Sequence, residues 1–184
     1  MTRRHPRNVP SLWLMTDERM GARLLPAVKA LPRGAGIVFR HYSLADAARR
    51  ALFRAVRAEA RRRRIMLLLA AAPTQARQWG ADGFHGRSGR ALPGQLHSAP
   101  VHNACELRAA ARRGADLVFV SPLHATRSHP GSPALRGFQA AALIRAAGRP
   151  VIGLGGMTSR RARALKIRGL HGWAAIDALT PQPR

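Results

Sequence analysis

Residues 113–121 read Arg-Gly-Ala-Asp-Leu-Val-Phe-Val-Ser, and this stretch decides the fold that the sequence predicts. A glycine follows the end of a helical pattern, where a left-handed backbone costs glycine little, and a buried apolar strand starts directly after it. The junction recurs as Trp-Gly-Ala-Asp at residues 79–82 and, more loosely, as Arg-Gly-Leu-His-Gly at residues 168–172. Such repetition is typical of a chain built from consecutive βα units.

Short apolar runs alternate with helical patterns on both sides of this junction. The strands are nearly continuous in apolar residues, as expected when helices cover both faces of a parallel sheet. The predicted strands are Leu12–Thr16, Ile37–His41, Ile65–Ala70, Gly83–His85, Ala99–His102, Leu117–Ser121, Val151–Leu154 and Trp173–Ile176. The predicted helices are Ala22–Ala30, Leu44–Arg63, Thr74–Gln78, Ala104–Arg112, Leu135–Ala147 and Ser159–Ile167.

Eight βα units that close on themselves form an α/β fold, the (β/α)8 TIM barrel, which usually needs about 250 residues. The 184 residues of this chain fit a short barrel with a reduced fourth helix, since residues 86–96 are rich in Gly and Pro, and a missing eighth helix. An open doubly wound sheet is the alternative if one of the weaker strands fails to form. We predict one domain at residues 12–179, a basic N-terminal tail at residues 1–11 and a C-terminal tail at residues 180–184.

The composition bounds the class of protein. Hydrophobic residues make up 46% of the chain, enough to bury a core. The single cysteine, Cys105, permits neither an intramolecular disulfide nor a cysteine-based zinc site, so we expect a reducing compartment, the cytoplasm. The longest apolar run, Ile65–Ala72, is far shorter than the roughly 20 residues of a membrane-spanning helix. The sequence therefore predicts no membrane partner.

The net charge is +24, from 32 Lys and Arg against 8 Asp and Glu. Such a charge is typical of proteins that bind nucleic acid or another polyanion. The arginines are scattered over several predicted helices, however, and few aromatic residues are present for base stacking. A polyanion binder that uses surface arginines is therefore the minority interpretation. The sequence leaves a homo-oligomer open.

The most specific local motif is Gly-Leu-Gly-Gly-Met-Thr at residues 153–158, which ends a strand and opens an Arg-rich helix. Paired glycines at such a junction expose backbone N–H groups, which together with the helix dipole form an anion site. Ile176 and Asp177 end the next strand and match the second half of the phosphate site found after strands seven and eight of TIM barrels. The alternative is a tight turn whose glycines only avoid a clash, but the surrounding strand pattern favours phosphate.

A long polar loop at residues 121–132 follows the apolar strand and places hydroxyls, a guanidinium and imidazoles at the same predicted mouth. It predicts a ligand-clamping loop, with an ordinary surface loop as the alternative. Asp82 and Asp116 belong to the opposite, N-terminal face, where we expect capping and salt bridging. The histidines at predicted strand ends are spaced by the strands rather than by a metal motif, so we predict no metal site from them. They are His41, His85, His102, His124 and His129.

Six segments of the sequence carry a resemblance to a known family. They are residues 12–17, 80–85, 101–103, 114–128, 153–158 and 176–178. In this order they resemble the thiamine-phosphate synthase family and its thiazole-tautomerase relatives, which are short (β/α)8 barrels. The resemblance implies an enzyme of thiamine biosynthesis, a transferase that joins hydroxymethylpyrimidine diphosphate to thiazole phosphate and releases pyrophosphate, with Mg²⁺ held by carboxylates.

The resemblance also implies roles for individual residues. Arg40 would sit on the pyrophosphate, and His124 and His129 are the other catalytic candidates. A diphosphate that ionises needs cations and donors on the leaving group, which agrees with this assignment. The implied substrate- and phosphate-binding residues are His102, Thr126, Ser128, Gly155, Gly156, Ile176 and Asp177.

The sequence departs from the family pattern where Mg²⁺ would bind. The Asn-Asp pair expected at the end of strand three is replaced by Ala70-Ala71, and the acid expected after strand four falls among residues 86–90, which hold none. Strand two keeps Arg40 but lacks the neighbouring Gln and Lys, and His129 replaces a lysine. We therefore predict no metal ligands, although the family implies Mg²⁺.

Two interpretations follow from these departures. In the first, arginines and histidines at the mouth, among them Arg87, Arg90 and Arg127, neutralise pyrophosphate without a metal. In the second, the protein is a thiazole-phosphate tautomerase-like or non-catalytic relative that binds a phosphorylated ligand. The tautomerase histidine falls at Pro122, so His124 is its candidate substitute, and a histidine base suits proton transfer near neutral pH.

Overall fold

The computed structural model describes residues 9–125, 133–166 and 169–181, which form a closed barrel of parallel strands in the order β1 to β8. Because β8 pairs with β1, the predicted barrel is confirmed and the open sheet is wrong. The strands are β1 (Leu12–Met15), β2 (Gly36–Phe39), β3 (Met66–Leu69), β4 (Gly83–His85), β5 (Leu96–Val101), β6 (Leu117–Val120), β7 (Val151–Gly153) and β8 (Gly172–Ala175).

Helices follow most of the strands, as the sequence predicts. The described residues between β4 and β5 contain no helix, so the reduced fourth helix is a loop, and the described chain after β8 contains only a 3-10 turn, Asp177–Leu179. No helix in the described ranges is long and apolar enough to cross a membrane. The helices are α1 (Leu24–Ala30), α2 (Asp46–Arg62), α3 (Pro73–Trp79), α4 (Ala104–Arg112), α5 (Gly137–Ala146) and α6 (Ser159–Lys166).

The barrel interior is packed by aromatic side chains. The Phe119 ring lies 5.4 Å from Trp13 and 5.2 Å from His85, measured between ring centroids. These residues belong to strands that are not neighbours, so the contacts cross the barrel. A Cβ atom at Gly36 would lie 2.3 Å from the Trp13 ring, so this strand position requires glycine. The filled interior confines any ligand site to the mouth above it.

Two aspartates fasten the opposite, N-terminal edge of the barrel. Asp82 Oδ2 accepts the backbone N–H of Leu67 at 2.7 Å, and Asp116 Oδ2 accepts that of His97 at 2.8 Å. Each carboxylate thus ties the start of its own strand to the preceding strand. The expected capping takes the form of a bond between strands, and among the described residues neither aspartate forms a salt bridge. The shared bond explains why the Gly-Ala-Asp junction recurs.

Candidate active site

The carboxyl ends of the eight strands form the barrel mouth, where functional residues of such barrels collect. The structure brings most of the predicted site residues to this face: Arg40 after β2, His102 after β5, Gly155 and Gly156 after β7, and Ile176 and Asp177 after β8. Thr126, Ser128 and His129, with Arg127, lie outside the described residues, so the predicted clamp loop stays a prediction.

One side of the mouth carries a polar network of Thr16, Asp17, Arg40 and His41, which we call the β1–β2 network. Arg40 Nη2 lies 2.9 Å from Asp17 Oδ2, and Arg40 Nε donates to the Thr16 carbonyl oxygen at 2.8 Å. Thr16 Oγ1 accepts the Arg40 backbone N–H at 3.0 Å and lies 3.0 Å from His41 Nδ1. These contacts hold the Arg40 guanidinium in one orientation at the mouth.

The charges of the β1–β2 network are set by burial and by neighbouring ions. Burial raises the pKa of Asp17, but hydrogen bonds from Arg19 and the charges of Arg19 and Arg40 outweigh it and leave this pKa below its usual value. Burial lowers the pKa of His41 in spite of the nearby Glu18 and Asp17 carboxylates. At neutral pH the network therefore holds an Arg40–Asp17 ion pair and a neutral imidazole.

Arg49 of α2 supports this network through the backbone, and it is absent from the residues that the sequence predicts for the site. Its Nε and Nη2 donate to the Arg40 carbonyl oxygen at 3.0 and 2.8 Å, and Nη2 also donates to the Ala70 carbonyl oxygen at 2.9 Å. The guanidinium carbon lies 5.4 Å from the Trp79 ring centroid. Arg49 is only 7% exposed and shares the buried face of α2 with Phe53. Its position on the apolar face of α2 is the feature of the sequence from which its buried role could have been predicted.

The other side of the mouth carries Arg87, His102, Glu106 and Ser121, which we call the β5–β6 network. Glu106 Oε2 accepts the backbone N–H of His102 at 2.8 Å and lies 2.8 Å from His102 Nδ1. His102 Nε2 lies 3.3 Å from Ser121 Oγ, and Arg87 Nη1 lies 3.3 Å from Glu106 Oε1. Glu106 is absent from the residues predicted for the site, although it lies only four residues after His102 in the sequence.

His85 lies between the two networks, inside the upper barrel. Its Nδ1 is 2.9 Å from Ser98 Oγ, and its ring meets the edge of Phe119. Burial, together with the charge of Arg40, lowers the pKa of His85 to about 3. The imidazole is therefore neutral at physiological pH, and it forms part of the floor of the mouth.

The glycines after β7 pack tightly against the start of the β6 loop. Gly155 and Gly156 have φ angles of +93° and +58°. A Cβ atom would lie 2.8 Å from Pro122 Cα in the first case and 2.4 Å from the Ala125 carbonyl oxygen in the second. Both residues must be glycine for this packing, whichever ligand binds. The structure thus supplies a steric reason for the motif alongside the predicted anion site.

His124 lies against this glycine turn. Its backbone N–H donates to the Gly155 carbonyl oxygen at 3.1 Å, and its Nε2 is buried without a hydrogen-bond partner in the described structure. Burial, and to a smaller extent the positive charge of Arg161, lowers the pKa of the His124 imidazole. The ring is therefore neutral at pH 7 and can accept a proton.

The described part of the mouth, without residues 126–132, does not fit a divalent metal ion. Within the described ranges no group of three or more His, Cys, Asp or Glu residues is arranged to hold one. Asp17 is already paired with Arg40 and with Arg19, at 2.9 and 2.7 Å, and β3 ends in Ala70-Ala71. The described residues therefore do not hold Mg²⁺ as the family pattern implies.

Comparisons with known proteins agree with the fold. A structure of thiamine phosphate pyrophosphorylase from Pyrococcus furiosus aligns with a TM-score of 0.79 and 20% identity over 94% of this chain and 88% of that one. The Bacteroides thetaiotaomicron thiamine phosphate pyrophosphorylase gives a TM-score of 0.63 at 14% identity, over 92% and 84% of the two chains. At these identities the likeness shows the fold alone.

Sequence comparison adds the family. Thiamine-phosphate synthase of Geobacillus thermodenitrificans (strain NG80-2) is 33% identical over 85 residues, which are 45% of this chain and 38% of that protein. The match therefore spans well under half of the relative's length. The family model for thiamine monophosphate synthase matches residues 12–179.

The fold and the polar mouth define a TIM-barrel protein whose candidate site is built from strand ends. The family match covers the whole barrel, from the first strand to the last turn. The chain belongs to the thiamine monophosphate synthase family.

Proposed function

We propose that this protein is a transferase of the thiamine-phosphate synthase type, which joins hydroxymethylpyrimidine diphosphate to thiazole phosphate in thiamine biosynthesis. The family match over residues 12–179 carries the proposal, because it includes every strand end at the mouth. Its partners are thus phosphorylated small molecules. In this protein the transfer would take place without the usual metal-binding acids.

Arg40 is the residue proposed to act on the diphosphate. Its Nε and Nη2 are held by Thr16 and Asp17, so the guanidinium is fixed before substrate binds. In the reaction the methylene C–O bond breaks, pyrophosphate leaves with the electron pair, and the thiazole nitrogen forms the new C–N bond. A preoriented cation stabilises the charge that develops on the leaving oxygen.

The glycine turn is proposed to hold the thiazole phosphate. Gly155 and Gly156 follow β7 in the segment that leads into α6, and Ile176 and Asp177 follow β8, the strand paired with β7. Backbone N–H groups near a helix start favour an anion. This arrangement would hold the nucleophile's phosphate at one side of the mouth, away from Arg40.

A product assay tests the proposal directly. The purified protein is incubated with both substrates, once with Mg²⁺ and once with a chelator, and thiamine phosphate is measured. We expect product under both conditions and a fall of at least about 100-fold in rate for Arg40→Gln. Arg50→Gln on the exposed face of α2 is the matched control and should retain the rate. Absence of product under both conditions would contradict the proposed function.

A pair of glycine variants tests the phosphate site separately. Gly156→Ala introduces a Cβ atom at positive φ and in contact with the Ala125 carbonyl oxygen, whereas Gly34→Ala introduces one at φ +76° with nothing within 4 Å. Both variants carry the same kind of backbone strain, but only Gly156→Ala should lose the thermal shift given by thiazole phosphate. Equal shifts in the two variants would place the phosphate elsewhere.

A second candidate function is a tautomerase-like proton transfer on a thiazole phosphate. The observation that favours it is the neutral, partly buried His124 imidazole beside the glycine turn. A neutral imidazole is a suitable base near pH 7. If this function holds, His124→Gln abolishes isomerisation followed by NMR in heavy water while thiazole phosphate still binds. Full activity in the variant would remove His124 from the mechanism, and binding without isomerisation in the wild type would leave a non-catalytic relative.

A further inference from the structure

We propose that Ser121, His102 and Glu106 form a base-activated serine that gives the barrel mouth an acyl-ester hydrolase activity. This activity is separate from the proposed transferase reaction, which assigns no covalent step to the protein. The inference rests on the β5–β6 network, whose members share one unbroken chain of polar contacts.

The contacts follow the order of a serine hydrolase triad. Glu106 Oε2 lies 2.8 Å from His102 Nδ1, and His102 Nε2 lies 3.3 Å from Ser121 Oγ. The imidazole of His102 therefore contacts the carboxylate through one ring nitrogen and the hydroxyl through the other. Such triads are recognised by geometry and roles rather than by fold, and the distance between hydroxyl and base is often long before substrate binds.

The charge of Glu106 decides which ring nitrogen carries the proton. Burial raises the pKa of Glu106, but hydrogen bonds from the side chain and backbone of His102 and the positive charge of Arg87 outweigh it, so this pKa lies below its usual value. An ionised carboxylate can only accept, so Nδ1 donates to it and Nε2 keeps its lone pair for the Ser121 hydroxyl. Arg87 Nη2 lies 2.9 Å from Nδ1 and can only donate, so it competes with Glu106 for this nitrogen. The triad requires the Glu106 carboxylate, at 2.8 Å, to take the Nδ1 proton while Arg87 pairs with Glu106 Oε1 through Nη1 at 3.3 Å.

Each member is held by regular structure. His102 directly follows β5, Ser121 directly follows β6, and these strands are paired, with Val101 opposite Val120. Glu106 lies in the first turn of α4, where its backbone N–H is capped by Asn103 Oδ1 at 2.9 Å. A site on strand ends and a capped helix start keeps its geometry better than one on a loop.

The neighbouring glycine turn supplies donors for an oxyanion. In the part of the chain that the structure describes, no backbone carbonyl accepts the N–H groups of Gly155 and Gly156. Gly155 packs against Pro122, the residue after the serine. Unpaired backbone N–H groups beside a nucleophile are the usual means of stabilising a tetrahedral intermediate.

The chemistry balances with water as the only co-reactant. Ser121 Oγ attacks the ester carbonyl carbon while its proton passes to His102 Nε2. The tetrahedral intermediate collapses, the alkoxide leaves and takes that proton, and an acyl-serine remains. Water, deprotonated by the same nitrogen, then releases the carboxylic acid and restores the hydroxyl.

The test uses the full chain and a fluorophosphonate, which labels activated serines, with the adduct located by mass spectrometry. We expect one adduct on Ser121, none in Ser121→Ala, and labelling at least about 100-fold slower in His102→Gln. Glu106→Gln should slow labelling and p-nitrophenyl acetate hydrolysis in parallel. Ser43→Ala is the control, because the Ser43 hydroxyl contacts the Glu18 carboxylate rather than an imidazole. This variant should be labelled on Ser121 at the wild-type rate.

Three outcomes would overturn the inference: no adduct on the folded wild type, an adduct on another residue only, or labelling of Ser121 that is unchanged in both His102→Gln and Glu106→Gln. Circular dichroism checks that each variant is folded, and if His102→Gln is not, Glu106→Gln decides. Product formation by the transferase assay does not enter this test, so the two proposals stand or fall separately.

Discussion

The two sides of the barrel mouth each contain an arginine and a carboxylate, but a different one of these groups is central on each side. In the β1–β2 network an arginine is central, and Thr16, Asp17 and the buried Arg49 fix it through backbone and side-chain contacts. In the β5–β6 network a carboxylate is central, and Glu106 receives its donors from the strand end and from Arg87. The first arrangement presents a cation to the mouth, whereas the second presents a base and a hydroxyl.

The difference shows how a chain with few acids places its arginines. With 32 Lys and Arg against 8 Asp and Glu, most guanidinium groups cannot pair with a carboxylate. Several donate to backbone carbonyl oxygens instead: Arg57 to Gly80, Arg63 to Leu31 and Arg49 to Arg40 and Ala70. Part of the arginine excess is therefore structural, and this part needs no polyanion.

The largest effect should come from removing the support of the β1–β2 network. Arg49→Ala leaves the Arg40 and Ala70 carbonyl oxygens without these donors and removes a buried cation from beside Trp79. We expect a loss of about 3 kcal/mol in the free energy of unfolding, measured with urea. The exposed neighbour Arg50→Ala should change it by less than about 0.5 kcal/mol. Equal effects would mean that Arg49 does not support the network.

The second prediction is that His85 makes the free energy of unfolding depend on pH between 7 and 5. The pKa of His85 is about 3 in the folded protein, against an ordinary value of 6.5, so between these two pH values the unfolded chain binds more protons. The contribution of His85 to the free energy of unfolding is therefore fully present above pH 6.5. It falls as pH decreases, by up to about 1.4 kcal/mol per pH unit, or about 2 kcal/mol at pH 5. His85→Asn keeps a polar group near Ser98 and should flatten the urea-unfolding profile between pH 7 and 5. An unchanged slope would assign this titration to another histidine.

The sequence was sufficient for the barrel because its signals are local. The Gly-Ala-Asp junction and the alternation of apolar runs with helical patterns give all eight strands, and seven of them start within one residue of the prediction. The exception is β5, which starts at Leu96 rather than Ala99, because His97 and Ser98 interrupt its apolar pattern. Ser98 faces His85 across the β4–β5 pair, a tertiary contact that no strand pattern reveals.

The site was harder to predict because its partners come from different elements. Arg40, His102 and the glycine turn were found at strand ends, but their proposed roles stay predictions. The sequence predicts arginines scattered over the helices and does not single out Arg49, since an arginine is rarely expected on a buried helix face. Glu106 was missed because it belongs to α4 while His102 belongs to the strand end before it.

The smallest effect is expected from the two carboxylates of the networks, Asp17 and Glu106, through the pH dependence of stability. Asp17 and Glu106 both have a pKa below the usual value, so each contributes stability above its unfolded pKa that is lost as pH falls through the folded one. Both side chains are partly exposed, at 15% and 24%, so solvent screening limits the contribution to about 1 kcal/mol each. Asp17→Asn and Glu106→Gln should each reduce the loss of stability between pH 5 and 3, and the double variant should show the sum, because the networks share no residue. A double variant that departs from the sum by more than about 0.5 kcal/mol would mean that the two sides of the mouth are coupled.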